Sequence, residues 1–107
     1  MTTIEQLQLL LSAKPKELSP GIVHKSILPK VECADGTTLS VQASRFHYCS
    51  PRLDRGPYSQ VEVWCIEGPD DPKPTEFDYS IDEPSAYVDI ESVAAFIDKH
   101  GGIKPTT

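Results

Sequence analysis

The sequence lacks a long apolar run and an excess of basic residues. No stretch reaches the roughly 20 apolar residues of a membrane-spanning helix, and no basic segment followed by an apolar one forms a secretion signal. Lysine and arginine number 10 against 16 aspartates and glutamates, so the 107-residue chain has a net charge of −6. A protein that holds nucleic acid by neutralising phosphates needs a basic face. We therefore expect a cytoplasmic protein that binds neither membranes nor nucleic acid directly.

Cysteine is scarce and shows no pairing pattern. The three cysteines are Cys33, Cys49 and Cys65, and no two of them form a C-x-x-C pair. A structural zinc site usually draws on closely spaced ligands, and disulfides are rare in a reducing cytosol. We expect three free, buried thiols, no metal and no cofactor.

The stretch "TTIEQLQLLLSA" predicts an N-terminal helix. Thr3 is expected to cap it, with Gln6 completing a capping box. Its apolar stripe is formed by Ile4, Leu7 and Leu11. A proline-containing connector follows at 14–21. We predict that residues 1–20 form this helix and connector, appended to a single domain at 21–107.

A glycine-containing turn sets the register of the first predicted hairpin. Residues 22–33 read as an extended edge segment interrupted by a proline. A two-residue turn would set Glu32 opposite Leu39 and put apolar side chains on opposite faces. A three-residue loop at 34–36, with its glycine in the left-handed region, sets Val31 opposite Leu39 instead, and the hydrophobic match favours this loop.

The next two predicted strands alternate apolar and polar side chains. The first is expected to turn Leu39, Val41 and Ala43 toward the core. Continued past Arg45, its period places His47 and Cys49 inward and Phe46 and Tyr48 outward. The second, after the loop "SPRLDRGPY" (50–58), is expected to turn Val61, Val63 and Cys65 inward and Gln60, Glu62 and Trp64 outward.

The C-terminal third completes an α+β fold. Residues 86–88 can form a short strand, and "DIESVAAFIDKHGG" predicts a helix capped by Asp89 and ended by Gly101. Its buried stripe is expected to be Ile90, Val93, Ala94 and Ile97. The prediction is a small antiparallel β-meander with this helix packed on one face and the N-terminal helix appended.

Two side chains on one strand face raise the question of catalysis. His47 and Cys49 lie two positions apart, so a thiol–imidazole pair is conceivable. A nucleophile also needs an orienting group and an oxyanion site, and no residue pattern identifies either. The favoured interpretation is that both side chains pack in the core, so no catalytic residue is predicted.

The loop at 50–58 is the stronger candidate for binding. Guanidinium groups suit phosphate or carboxylate, and a tyrosine ring offers a stacking surface for a base. The predicted ligand-binding residues are His47, Tyr48, Arg52, Arg55 and Tyr58. The alternative is that the two arginines pair with Asp54 or with the acidic segment at 67–91.

That acidic segment is a second candidate surface. Between positions 67 and 91 the chain carries nine acidic residues and one basic residue. It could imitate nucleic-acid charge on a basic partner, or simply be solvated. Trp64, beside Phe46 and Tyr48, is expected to be covered by the N-terminal helix or to lie in a subunit interface. The predicted interface residues are Phe46, Trp64, Asp70, Asp71 and Glu76.

Three stretches carry a family resemblance: "DGTTLSVQASRFHYCSPR", "GPYSQVEV" and "AYVDIESVAAFIDKHGGI". Over residues 31–103 the chain resembles a family of short, mostly uncharacterised proteins encoded in bacterial phages and prophages. The shared features are an H-Y-C-[S/T]-P-R run, a G-P-Y followed by V-E-V, and a closing Y-V … K-H-G-G. The chain departs from the pattern at Trp64-Cys65, where the family has a glycine and an aromatic residue.

The resemblance implies a phage setting in a bacterial host cell. The leading hypothesis is a counter-defence or host-modulating binding protein that sequesters a small anionic, nucleotide-like signal. A homo-oligomer is expected, because one chain of this size can hardly enclose a nucleotide. The alternatives are an acidic, anti-CRISPR-like inhibitor of a host defence protein and, less favoured, an enzyme that uses His47 and Cys49.

Overall fold

The computed structural model describes residues 1–12 and 28–105. In chain order the elements are α1 (Thr3–Ser12), β1 (Val31–Glu32), β2 (Thr38–Gln42), β3 (Gln60–Glu67), β4 (Ser85–Asp89) and α2 (Ile90–Lys99). The strands form one antiparallel sheet in the order β1-β2-β3-β4, and α2 packs against it. The predicted α+β class is confirmed. The predicted connector at 14–21 and the first part of the extended segment lie outside the described residues.

One core joins the inward face of the sheet to both helices. The sheet contributes Leu39, Val41, Val61, Val63 and Val88, and α2 contributes Ile90, Val93, Ala94, Phe96 and Ile97. Leu7 and Leu11 of α1 belong to the same cluster, and α1 packs on α2. The predicted apolar stripes of both helices are confirmed. Within the part of the chain that is described, no helix is long and apolar enough to cross a membrane.

The helix caps differ from the prediction. Thr2, not Thr3, caps α1: its hydroxyl accepts the Glu5 N–H at 3.1 Å, and the Glu5 carboxylate accepts the Thr2 N–H at 3.2 Å. The Thr3 hydroxyl donates instead to Asp98 of α2, which ties the two helices together. Asp89 precedes α2 but makes no side-chain capping bond.

The predicted register of the first hairpin is confirmed. Val31 lies opposite Leu39, and the Cys33 N–H donates to the Thr37 carbonyl at 2.7 Å across the loop. Gly36 has φ = 96°, a conformation that is costly for residues with a Cβ. Hydrophobic matching therefore identified the correct loop length.

Two β-bulges interrupt the alternation of the sheet. Between β2 and β3 the paired positions advance from Thr38↔Glu67 to Ser40↔Trp64, which leaves one extra residue on β3. Between β3 and β4 there is likewise one extra residue on β4. Cys65 has φ = 55° and Tyr87 has φ = 52° at these two bulges. The prediction that Cys65 points into the core is wrong: it is only partly buried, and Ile66 takes the inward position.

The predicted strand through Arg45 ends earlier than expected. β2 stops at Gln42, and residues 44–49 form turns in which the Ser44 carbonyl accepts the His47 N–H at 3.2 Å. His47 and Cys49 are nevertheless buried and Tyr48 is exposed, as the alternation suggested. The pattern of burial was right, but turns rather than a strand produce it.

Candidate binding site

The segment at 44–50 crosses the outer face of the sheet. The Tyr48 N–H donates to the carboxylate of Glu62 on β3 at 3.1 Å, and the Tyr48 carbonyl accepts the N–H of Tyr87 on β4 at 3.0 Å. Beyond it, Ser50 pairs with Gln60 at the start of β3. Tyr48 is thus attached through its backbone to two neighbouring strands.

A buried acid–imidazole contact lies beneath this crossing. His47 Nδ1 is 3.4 Å from Glu62 Oε1, and the two residues are 2% and 8% exposed. The other Glu62 oxygen accepts the Tyr48 N–H. Glu62 was expected to face solvent, but the crossing segment covers it. His47 does not reach the surface, so it supports Tyr48 from below instead of contacting a ligand as predicted.

An exposed cluster of Tyr48, Arg52 and Tyr87, hereafter the Tyr–Arg cluster, lies above that pair. The two tyrosine rings are half exposed with their centroids 6.1 Å apart. The Arg52 guanidinium carbon is 5.1 Å from the centre of the Tyr48 ring. The β4 bulge turns Tyr87 toward Tyr48, which strand alternation alone could not reveal.

The loop arginines differ in their partners. Arg45 binds Asp54, with 3.3 Å between Nε and the carboxylate. Arg52 and Arg55 are exposed, and neither forms an ion pair within the described residues. The alternative in which Asp54 neutralises them is therefore not what is observed, because Arg45 occupies that carboxylate.

Tyr58 is a support of the loop and not a stacking surface. It is 2% exposed, its hydroxyl donates to the Leu53 carbonyl at 2.8 Å, and burial raises the pKa of its phenol. Gln8 of α1 bonds both the N–H and the carbonyl of Tyr58, at 2.9 and 2.7 Å. The prediction that the Tyr58 ring stacks on a base is incompatible with this burial.

Cys33 and Cys49 are not arranged for nucleophilic chemistry. Cys49 is buried, and its Sγ donates to the carbonyls of Ser44 and Pro51 at 3.2 and 3.4 Å. Burial raises its pKa, and burial with the nearby Asp35 charge raises the pKa of Cys33 to about 11. Thiolates, the reactive form, are therefore disfavoured at both positions. In the described residues no group of three or more His, Cys, Asp or Glu side chains could hold a metal ion.

The predicted interface residues differ in their contacts. The indole N–H of Trp64 donates to the Ile81 carbonyl at 3.4 Å, and α1 packs on α2 instead of covering Trp64 as one interpretation expected. Phe46 is exposed beneath the Arg45 guanidinium. Asp70 and Asp71 are exposed.

Glu76 is engaged with α2. Its carboxylate binds Lys99 at 2.9 Å. Burial by itself raises the Glu76 pKa, but the hydrogen bond from Lys99 and two backbone hydrogen bonds outweigh it and lower the pKa overall. The Glu76 carboxylate, being partly buried and paired with Lys99, is therefore less available to a partner than the exposed Asp70 and Asp71.

Three open grooves lie on the surface: two near the turn at 78–85 and one along α1. One of about 570 Å³ includes Tyr48, Asp78, Tyr79 and Glu83 among its lining residues. A second of about 410 Å³ lies between Ile66, Asp71, Lys73 and Ile81, and a third of about 520 Å³ lies along α1 beside Pro57. Arg52 and Arg55 are exposed and line none of these three grooves.

The phage-family resemblance stays a prediction. No protein-family model, curated protein or solved structure matches the chain.

Proposed function

We propose that the protein sequesters a small anionic, nucleotide-like ligand at the Tyr–Arg cluster. The observation that carries the proposal is the Arg52 guanidinium, which stacks 5.1 Å over an exposed tyrosine ring and has no carboxylate partner within the described residues. A phosphate accepts paired hydrogen bonds from a guanidinium, and a base stacks on an aromatic face. Both requirements of a nucleotide meet at this surface.

The surroundings of the cluster favour binding over catalysis. Glu62 and the Tyr87 N–H hold the Tyr48 backbone, so the main chain that carries the ring is ordered before a ligand arrives. The cysteine nearest the loop is buried with a raised pKa. In the phage setting that the resemblance implies, a protein that binds such a signal without consuming it would act in counter-defence.

The proposed contact residues are Tyr48, Arg52, Arg55 and Tyr87. His47 and Tyr58 are assigned supporting roles, because both are buried. The open surface can contact only one side of a nucleotide, so we propose that a second copy of the chain covers the other side.

Titration calorimetry with a panel of linear and cyclic nucleotides tests the proposal. Arg52→Ala is expected to weaken binding of the ligand at least about tenfold, since a hydrogen bond to a charged group contributes about 1.5–3 kcal/mol. The affinity of Arg52→Lys should lie between those of the parent protein and Arg52→Ala, because lysine keeps the charge but not the planar fork of the guanidinium. Arg45→Ala, which removes an exposed arginine already paired with Asp54, is the matched control and should change affinity little.

Two outcomes contradict the proposal. One is that no nucleotide in the panel binds, and the other is that binding is equally strong in Arg52→Ala. Light scattering of the same samples measures whether the protein that binds is oligomeric.

A further inference from the structure

Tyr58 contacts both of the arginine-bearing stretches of its loop. Its hydroxyl donates to the carbonyl of Leu53, the residue next to Arg52, at 2.8 Å. Gly56, the residue next to Arg55, lies so close to Tyr58 that a Cβ added to this glycine would be 3.0 Å from the ring and 2.9 Å from the amide nitrogen. The conformation of both stretches therefore depends on the position of Tyr58.

The backbone of Tyr58 is held in turn by the N-terminal helix. The Gln8 carboxamide accepts the Tyr58 N–H at 2.9 Å and donates to the Tyr58 carbonyl at 2.7 Å, across 50 positions of the chain. Tyr58 is buried, and buried backbone groups need partners. Gln8 satisfies both of them, as a neighbouring strand would do in a sheet.

The helix that carries Gln8 is itself fixed to the domain. Leu7 and Leu11, one on each side of Gln8 in the sequence, are buried in the core. The Thr3 hydroxyl donates to Asp98 of α2. Gln8 therefore acts from a helix that is anchored both by apolar packing and by a hydrogen bond.

Two further contacts hold other parts of the loop. At its base the Ser59 N–H donates to the Ser50 carbonyl at 2.8 Å, and nearer its middle Asp54 accepts the Arg45 N–H at 3.0 Å. Both contacts persist when Gln8 is replaced. Loss of the Gln8 side chain is therefore expected to loosen the loop locally and not to unfold the domain.

We propose that α1 positions Arg52 and Arg55 through Gln8 and Tyr58, so that Gln8 is a positioning residue of the nucleotide site. Ordering the loop before a ligand arrives raises affinity, because less conformational entropy is lost on binding. The effect on affinity rests on the proposed function, whereas the order of the loop can be measured without a ligand. The N-terminal helix is then part of the binding machinery and not only an appendage of the domain.

Limited digestion with trypsin in the absence of nucleotide tests the order of the loop. Trypsin cuts after arginine, and both Arg52 and Arg55 are exposed, so cleavage reports how often the loop opens locally. Gln8→Ala is expected to speed cleavage after both arginines at least about fivefold, because it removes two hydrogen bonds. Gln6→Ala, the same substitution at another half-buried position of α1, is the matched control and should leave both rates unchanged.

Tyr58→Phe is a second variant, which tests the same path if Gln8→Ala fails to fold. It removes only the hydroxyl that bonds the Leu53 carbonyl, next to Arg52. Cleavage after Arg52 is therefore expected to rise more than cleavage after Arg55. An equal rise at the two bonds, or none, would contradict the role given to Tyr58.

Calorimetry with the panel of linear and cyclic nucleotides measures the link to affinity. Gln8→Ala should weaken binding about fivefold in the parent and less in the Arg52→Ala background, where one of the positioned arginines is gone. A merely structural role would weaken binding equally in both backgrounds.

Three outcomes overturn the inference: a cleavage rate in Gln8→Ala equal to that of the parent, an equal rise in Gln6→Ala, or equal losses of affinity in the two backgrounds. A loop that loosens as expected in a protein that binds no nucleotide of the panel would support the positioning by Gln8 and contradict the proposed function.

Discussion

Glu62 is the residue on which the geometry of the proposed nucleotide site depends most. One carboxylate oxygen contacts His47 Nδ1 and the other accepts the Tyr48 N–H, and the whole side chain is nearly buried. Removal of a buried carboxylate with two partners takes away both of those contacts at once. Glu62 therefore couples the stability of the sheet to the position of the Tyr48 ring.

Glu62→Ala is expected to lower the free energy of unfolding by about 2–3 kcal/mol, because it leaves His47 and the Tyr48 N–H without their carboxylate. Glu62→Gln keeps an oxygen that can accept the Tyr48 N–H, so it should lower the free energy of unfolding less than Glu62→Ala does. Glu67→Gln, on the exposed end of the same strand, is the control and should change stability by under about 0.5 kcal/mol. Urea unfolding measures all three, and an equal effect of Glu62→Ala and Glu67→Gln would argue against the supporting role.

At the level of elements, the sequence predicted the features that depend on apolar side chains sharing one face: the β1–β2 pairing and the buried stripe of α2. Val31 opposite Leu39 followed from keeping apolar side chains on one face, and the stripe of α2 followed from helical spacing. The bulge at Tyr87 did not follow, because one extra residue leaves no mark in the composition. Tyr87 is consequently absent from the predicted site. The burial of Tyr58 does not follow from local sequence either, because Gln8, which bonds its backbone, belongs to the distant helix α1.

The bulge at Cys65 allows a direct measurement of its backbone cost. A non-glycine residue at φ = 55° is strained, whereas glycine adopts this conformation freely. Cys65→Gly and Cys65→Ala both remove the thiol, so their difference isolates the backbone term. We expect Cys65→Gly to be more stable than Cys65→Ala by about 1 kcal/mol in urea unfolding. Equal stabilities would mean that the bulge relaxes without strain.

At the level of the whole molecule, the K-H-G-G run at the end of α2 contacts the first hairpin loop. His100 Nδ1 lies 2.7 Å from the Asp35 carboxylate in the first hairpin loop, and the Ala34 N–H donates to the Gly102 carbonyl at 2.9 Å. Gly101 has φ = 93°, and a Cβ there would lie 2.9 Å from the Ala34 Cβ. Packing between the first hairpin loop and the end of α2 therefore involves three residues of this run, His100, Gly101 and Gly102.

The contact between His100 and Asp35 predicts that the stability of the fold depends on pH. The Thr37 N–H, and also His100, hold the pKa of Asp35 below its ordinary value. A carboxyl whose pKa is lower in the folded state than in the unfolded state stabilises the fold above the unfolded pKa of about 4, and this contribution is lost as the pH falls further. Thermal unfolding from about pH 6 to about pH 3 should therefore decline less steeply in Asp35→Asn than in the parent. Asp82→Asn controls for net charge, because it removes the same charge from an exposed side chain that forms no ion pair with a described residue. An unchanged slope in Asp35→Asn would rule out this link between pH and the contact of Asp35 with His100.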